Sequence, residues 1–184
     1  METSIIIAGF GGQGVLFAGQ LLTYAGMDAG KHVTWIPSYG PEMRGGTANC
    51  TVIISDEPIG APLVEQPDVA VVLNKPSFDK YEPMVKTGGL LVVNSSIVSQ
   101  ESERTDIDAA YIAANAIAEE FGSAKMLNVA SLGALIARKP VLTIDQVDQS
   151  IVDHLPARKA DMLAANRKVL KRGYEVGLPV ADTG

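Results

Sequence analysis

The sequence predicts a three-layer α/β domain, in which helices flank a mostly parallel sheet and the C-terminal part is helical. Short apolar runs rich in Ile and Val, such as residues 4–8 and 69–73, are typical of strands that are buried on both faces. Longer helical segments alternate with these runs, and this alternation favours a parallel sheet with helices on both sides. We expect one α/β domain over residues 1–184, with a helical C-terminal part at 143–178.

The individual elements follow from runs of β-branched residues, helical segments and turn residues. The predicted strands cover residues 4–8, 32–36, 47–55, 69–73, 90–93 and 109–113. The predicted helices cover residues 15–29, 77–86, 116–121, 126–137, 144–155 and 158–174. Pro83 is expected to break or shorten the second helix, because proline removes a backbone donor and clashes with the preceding turn.

Composition and charge narrow the class of protein. Of the 184 residues, 47% are hydrophobic and 20% are charged, which is a globular composition. The net charge of -6 argues against nucleic acid or an anionic membrane as a partner. The single cysteine, Cys50, excludes an internal disulfide and a four-cysteine iron–sulfur or zinc site made by this chain alone. A reducing cytoplasm is therefore the expected compartment.

Residues 3–27 contain no charged side chain and are long enough to span a bilayer. Four glycines lie within residues 9–14, however, and each interior glycine would cost a helix about 1 kcal/mol. Glu2 also stands where a signal peptide would carry basic residues. Two short ordered elements around a turn are the better interpretation of this stretch.

Two predicted helices lack a face suited to water. Residues 15–27 carry only Gln20 and Thr23 as clearly polar positions, and residues 126–137 carry only Asn128 and Ser131. The C-terminal helices could cover both surfaces, or a partner subunit could cover at least one of them. In the second case, the small residues Ala18, Gly19 and Gly26 would admit the partner's backbone.

The turn after the first strand carries the pattern Gly9-x-Gly11-x-x-Gly14 between a strand and a helix, which is a Rossmann-like context for binding a dinucleotide. Such sites usually add an acidic residue at the end of the second strand, where this chain has residues 36–39 without Asp or Glu. No Lys-Ser/Thr follows either, so the loop is not a Walker loop. A tight turn that contacts a subunit or a ligand is favoured, and a dinucleotide-dependent reductase remains the alternative.

The loops that leave the carboxyl ends of parallel strands converge on one edge of the sheet, where such sheets place ligands. The fourth strand delivers Asn74, Lys75 and Ser77 to that edge. Arg44 could hold a carboxylate or phosphate there, with Glu42 orienting it. The candidate residues for a substrate or coenzyme A edge, or for a subunit interface, are Gly11, Gly12, Gln13, Tyr39, Glu42, Arg44, Gly45, Asn94 and Ser95.

Two long motifs on this edge carry a resemblance. IIIAGFGGQGV (residues 5–15) together with PSYGPEMRGGTANCTVIIS (residues 37–55) resembles the gamma subunit of 2-oxoacid:ferredoxin oxidoreductases. VVNSS (residues 92–96) and LNVASLGALIA (residues 127–137) are similar to the same family, so the resemblance spans most of the chain.

The resemblance implies oxidative decarboxylation of a 2-oxoacid with coenzyme A, giving acyl-CoA, CO2 and reduced ferredoxin. It also implies alpha, beta and ferredoxin-like delta subunits that hold thiamine diphosphate, Mg2+ and the iron–sulfur clusters. This chain has no GDG…N pattern and no CxxC, so we expect no redox cofactor, no metal and no catalytic residue of its own, and an inactive isolated chain. Pyruvate, 2-oxoglutarate, branched-chain and aryl oxoacids stay open as substrates. A scaffold or regulatory subunit is a further alternative.

The remaining reactive residues favour structural roles. His32 and His154 have no metal-ligand spacing around them, and Cys50 lies within a predicted strand. The basic residues of the last helix are expected on a solvated face, with docking of an acidic partner or of coenzyme A phosphates as the alternative. These residues are Arg158, Lys159, Arg167, Lys168, Lys171 and Arg172.

Overall fold

The computed structural model describes residues 1–39 and 47–179, except for the side chains of Tyr39 and residues 157–159. The strands are β1 (Glu2–Phe10), β2 (His32–Tyr39), β3 (Thr47–Ser55), β4 (Val69–Val72), β5 (Leu90–Asn94) and β6 (Asp108–Ile112). The α-helices are α1 (Val15–Asp28), α2 (Lys75–Tyr81), α3 (Ala114–Glu120), α4 (Leu127–Arg138), α5 (Ile144–His154) and α6 (Leu163–Gly177).

The six strands form one sheet in the order β2-β3-β1-β4-β5-β6. β1, β4, β5 and β6 are parallel neighbours, whereas β3 is antiparallel to both β1 and β2. The sheet is therefore mostly parallel, as predicted, with one reversed strand. The reversal follows from the short connection between β2 and β3, because a parallel crossover needs a dozen or more residues.

Apolar side chains alternate along β1 between two cores. Ile5 and Ile7 belong to the larger core, together with residues of α1, α3, α4, α5 and α6. Ile6 and Ala8 belong to a smaller core with residues of α2. The helices therefore lie on both faces of the sheet, and the fold class is confirmed.

The second predicted apolar helix, now α4, is covered from within the chain. Residues 127–136 are all buried, and α6 packs closely against them. A Cβ on Gly173 would lie 2.1 Å from the carbonyl oxygen of Ala130, and one on Gly133 would lie 2.2 Å from that of Leu170. The expectation that the C-terminal helices cover this surface is confirmed for α4.

The expectation that the small residues of α1 admit a partner's backbone was wrong. Ala18, Gly19 and Gly26 are all buried against this chain's own core. A Cβ on Gly19 would lie 2.5 Å from Sγ of Cys50, and one on Gly26 would lie 2.8 Å from Cγ2 of Val33. Because these residues are small, α1 packs closely against the side chains of β2 and β3.

The two largest differences between the predicted and the observed helix boundaries lie next to prolines. α2 ends at Tyr81 and passes into a 3-10 turn at Glu82–Met84, so Pro83 shortens the helix as expected. The last helix begins at Leu163 rather than at residue 158, because a 3-10 segment at Ala157–Met162 follows Pro156. Among the described residues, no helix has both the length and the apolarity needed to cross a bilayer.

Candidate functional site

β1 and β4 are adjacent, but the chain leaves them towards opposite faces of the sheet. β1 leads into α1 on the side of the larger core, and β4 leads into α2 on the side of the smaller one. This is a topological switch point, and open α/β sheets bind ligands in the crevice outside such a point. The candidate site is therefore built around the carboxyl ends of these two strands.

Gln13 fills the gap between these two strand ends. Its Oε1 accepts a hydrogen bond from the backbone N–H of Phe10 at 2.6 Å, and its Nε2 donates to the carbonyl of Leu73 at 3.1 Å. The backbone N–H of Leu73 still donates to the carbonyl of Ala8 at 2.9 Å, which is the last direct link between the strands. The side-chain amide thus extends the ladder by one step where the strands diverge.

The glycine turn needs its glycines for conformation and for space. Gly12 and Gly14 have φ angles of 94° and 75°, in the left-handed region that favours glycine. Asn128 of α4 donates from Nδ2 to the carbonyl of Gly14 at 3.0 Å, and a Cβ on Gly14 would lie 2.6 Å from that nitrogen. The turn is therefore fixed to α4, while Gly11 and Gly12 remain exposed.

The β2–β3 connection starts one strand away from this turn and ends beside it. Thr47 pairs with Phe10 at the end of β1, and Tyr39 pairs with Ala48. Glu42, Arg44 and Gly45 lie outside the described residues, as does the side chain of Tyr39. The strand register therefore brings Thr47 next to the glycine turn, whereas Tyr39 lies one strand further away.

Asn94 and Ser95 end β5 in different environments. Asn94 is fully buried, and its amide donates to Oδ1 of Asn115 at 2.9 Å and accepts from the backbone N–H of Ser96 at 3.3 Å. Ser95 is exposed, and its backbone N–H donates to the carbonyl of Ile112 at 2.8 Å. Asn94 therefore fixes the turn after β5, and Ser95 is one of the residues that this turn exposes to solvent.

Asn74 ends β4 and begins α2. Its Oδ1 accepts from the backbone N–H of Ser77 at 2.9 Å, which is an N-cap interaction. Nδ2 of Asn74 and Oγ of Ser77 are buried and have no hydrogen-bond partner among the described residues. Lys75 is exposed and pairs with Asp79 at 2.7 Å. The capping role was recognisable in the sequence from an Asn directly before a Lys-Pro-Ser helix start.

The sheet order weakens the dinucleotide alternative. In the dinucleotide-binding fold, the second strand lies next to the first and carries the acid that binds the ribose. Here the antiparallel β3 separates β2 from β1. The end of β2 is thus displaced by one strand from the glycine turn, and Gln13 occupies the crevice itself.

Cys50 and His154 have structural surroundings. Burial raises the pKa of the Cys50 thiol to about 11, against a smaller opposing effect of Trp35. His154 stacks on Tyr24 with ring centroids 4.2 Å apart and bonds Asp28 through Nε2 at 2.8 Å. Within residues 1–39 and 47–179, no group of three His, Cys, Asp or Glu side chains is arranged to hold a metal.

The basic helix α6 is partly neutralised within the chain. Arg167 makes hydrogen bonds to both oxygens of the buried Asp148 on α5, the shorter at 2.7 Å, and Lys171 lies 3.8 Å from the same carboxylate. Arg172 pairs with Glu120 and Glu175. The contacts of Asp148 join α5 to α6, and the ion pairs together favour a solvated, internally paired face over a docking surface.

Residues 4–176 match the pyruvate ferredoxin/flavodoxin oxidoreductase family. This chain belongs to that family. The match covers both motifs of the candidate edge and the helices behind it, so the resemblance found in the sequence is confirmed.

Two curated relatives illustrate the range of the family. The 2-oxoglutarate synthase subunit KorC of Methanocaldococcus jannaschii is 35% identical over 179 residues, which cover 96% of this chain and 94% of the relative. The ketoisovalerate oxidoreductase subunit VorA of Methanothermobacter marburgensis is 36% identical over 174 residues, which cover 95% of this chain. This chain spans only 36% of the length of VorA, so the same domain also occurs as part of a longer polypeptide.

A solved structure has the same fold over nearly its whole length. The gamma subunit of the keto/oxoacid ferredoxin oxidoreductase from Geobacter sulfurreducens matches with a TM-score of 0.85 and 28% identity, covering 96% of this chain and 97% of that one. The fold of this chain is therefore that of a gamma subunit of the family.

Proposed function

We propose that this chain is the gamma subunit of a multi-subunit 2-oxoacid:ferredoxin oxidoreductase. The complex would decarboxylate a 2-oxoacid, transfer the acyl group to coenzyme A and pass two electrons to ferredoxin. The observation that carries this proposal is the alignment with KorC and with the Geobacter gamma subunit over nearly the full length of all three chains.

The side chains of this protein indicate which cofactors it would leave to other subunits of the complex. Its one cysteine is buried and its thiol has a raised pKa, so it is suited neither to a cluster nor to nucleophilic attack. Thiamine diphosphate with Mg2+ and the iron–sulfur clusters would belong to alpha, beta and ferredoxin-like delta subunits. Thiamine diphosphate supplies the carbanion chemistry when it is bound in those subunits. This chain would form one side of the cavity near that site.

The candidate edge would form that side of the cavity, facing the 2-oxoacid or coenzyme A entrance or the neighbouring subunit. Gly11 and Gly12 offer exposed backbone, and Gln13 keeps the turn attached to β4. Arg44 would bind a carboxylate or a phosphate, with Glu42 orienting the guanidinium. Tyr39, Gly45 and Ser95 would complete the surface, while Asn94 supports it from inside.

Two alternatives make different predictions. A dinucleotide-dependent reductase would bind NAD(P)H or FAD, but Gln13 occupies the crevice and β3 displaces the second strand. A scaffold without contact to substrate would leave turnover unchanged when Arg44 is replaced. The observed geometry favours the gamma-subunit function over the first alternative.

The proposal is tested by purifying a tagged copy of the full chain from its native source. We expect a thiamine-binding chain and a ferredoxin-like chain to co-purify, with 2-oxoacid- and coenzyme-A-dependent reduction of ferredoxin in the same fraction. A lone 19.4 kDa species with saturable micromolar NAD(P)H binding would instead favour the reductase.

A further inference from the structure

The outward face of α1 is uncharged from Val15 to Met27, and the first charged residue of the helix is Asp28 at its end. From Val15 to Met27 the helix has no charged residue, and its inward face is taken up by the core. Thr23 satisfies its hydroxyl within the helix by donating to the carbonyl of Gly19 at 2.8 Å. Half-buried or exposed positions make up the outward face, and they are Leu16, Phe17, Gln20, Thr23, Tyr24 and Met27.

The other helices that border solvent in the described chain carry charges on their outer faces. α2 has Lys75, Asp79 and Lys80, α3 has Glu119 and Glu120, and α6 is strongly basic. The apolar character of α4 is explained because α6 covers it. Among the described residues, α6 does not cover the outward face of α1 in this way. An uncharged helical face of this kind is typical of a protein–protein contact.

Two apolar side chains on this face are exposed, and one of them is fixed in position by its neighbours. Tyr24 is 37% exposed, and its ring is fixed by stacking on His154 of α5. Asp28 fixes His154 in turn through a 2.8 Å hydrogen bond. Met27, one turn along, is 58% exposed. An aromatic ring that is already ordered loses little conformational freedom on binding, and methionine adapts its shape to a partner.

The neighbouring helix α5 contacts α1 through Ser150 and His154, and its exposed charged residues are acidic. Its exposed residues include Asp145 and Asp153, and neither α1 nor α5 contains Lys or Arg. Asp148 is turned away and is neutralised by Arg167. Charge complementarity therefore requires a partner with an apolar centre and Lys or Arg at its border.

We propose that the outward face of α1, bordered by the acidic face of α5, is the docking surface for a companion subunit with an apolar ridge flanked by basic residues. This inference rests on the proposed function, because it places that partner within the oxidoreductase complex. The long relative VorA, of which this domain is only 36%, shows that the domain occurs next to further polypeptide.

A membrane surface fits this face less well. Helices that lie on membranes carry Lys and Arg beside their apolar stripe, which attract anionic lipid headgroups. Here the border is acidic and would be repelled by them. A second copy of this chain also fits less well, because three of the four basic residues of α6, namely Arg167, Lys171 and Arg172, are already paired within the chain.

The test uses the full chain and its companion subunits, prepared as a subcomplex that lacks this chain. Met27→Lys puts a cation on the apolar face, and Val176→Lys is its control, because Val176 is an exposed apolar residue on α6. Asp153→Lys reverses the border charge in the last turn of α5, where a cation is favourable for the helix. Glu119→Lys makes the same change in the last turn of α3. Thermal melting of each variant checks that it folds.

We expect Met27→Lys to weaken binding to the subcomplex by at least ~10-fold. Asp153→Lys should weaken it by about 3- to 10-fold at low salt, and the loss should shrink in 0.5 M salt, as screening of a border charge requires. Both controls should bind within about twofold of wild type.

Three results would overturn the inference. The first is that wild type binds and the folded Met27→Lys and Asp153→Lys variants bind equally well. The second is that wild type alone dimerises in sedimentation and Met27→Lys abolishes the dimer. The third is that wild type sediments with phosphatidylcholine/phosphatidylglycerol vesicles and Met27→Lys does not. A wild-type chain with no affinity for the subcomplex would contradict the proposed function itself.

Discussion

The side-chain amide of Gln13 donates to the backbone carbonyl of Leu73 and joins the carboxyl ends of β1 and β4 at the switch point of the sheet. The same amide accepts from the backbone of Phe10. A crevice that serves as a ligand site in other α/β sheets is therefore closed here by the chain's own side chain.

Replacing this amide should destabilise the turn. Gln13→Ala removes both hydrogen bonds, and we expect the free energy of unfolding to fall by about 1–2 kcal/mol because two backbone groups lose their partners. Ser95→Ala is the control, since that side chain is exposed, and it should change stability by less than about 0.5 kcal/mol. Urea denaturation followed by the fluorescence of the single tryptophan, Trp35, measures both. Equal stabilities of the two variants would show that the Gln13 bridge is not a stabilising contact.

The contact between α4 and α6 should tolerate no added methyl group. Gly173→Ala would place a Cβ 2.1 Å from the carbonyl oxygen of Ala130, so the helices must separate. We expect a loss of about 1–3 kcal/mol or more. Gly60→Ala meets no atom within 4 Å and should be neutral or slightly stabilising. A melting temperature of Gly173→Ala equal to or above that of Gly60→Ala would contradict this packing.

Cys50 should be inert in the folded chain. Burial raises the pKa of its thiol to about 11 from an ordinary value near 9.0, so folding favours the protonated form. Its contribution to stability is complete below pH 9 and is lost as the pH rises towards 11, because the unfolded chain releases the proton first. Native protein at pH 8 should react with a thiol reagent only as fast as it unfolds. Cys50→Ala should lack this part of the alkaline loss of stability, and rapid stoichiometric labelling of the native chain would contradict the buried position.

Arg44 tests the candidate edge within the assembled complex. If it binds a carboxylate or phosphate, Arg44→Ala should lower kcat/KM for the 2-oxoacid or coenzyme A by about tenfold or more. Arg44→Lys should retain part of the activity, because it keeps the charge but loses the planar two-point contact. Lys168→Ala, an exposed basic residue on α6, serves as the control. Unchanged kinetics for Arg44→Ala in an intact complex would support the scaffold alternative.

The strands were predictable because β1, β4 and β5 are short apolar runs rich in β-branched residues, which favour the interior of a sheet. The caps and breaks were also predictable, as Pro83 shows at the end of α2. Each of these predictions depends only on the residues of one short segment.

Other features depend on which element lies opposite, and a single sequence does not contain that information directly. Gly19 and Gly26 were recognised as points of close approach, but the approaching groups are Cys50 and Val33 of this chain rather than a partner. Asn94 was predicted to lie at the ligand edge because it follows a strand. Its amide nitrogen, however, donates a hydrogen bond to Asn115 within the chain. The bridge from Gln13 to Leu73 joins residues far apart in the chain and appears only once β4 is placed beside β1.

Comparing the isolated chain with the reconstituted complex is the decisive test of the proposed gamma-subunit function. Ferredoxin reduction is measured with 2-oxoacid and coenzyme A present, for the purified chain, for its companion subunits and for the two combined. We expect no activity from this chain alone, and we expect acyl-CoA and reduced ferredoxin from the combination. Decarboxylation or electron transfer by the purified chain on its own would contradict the proposed function.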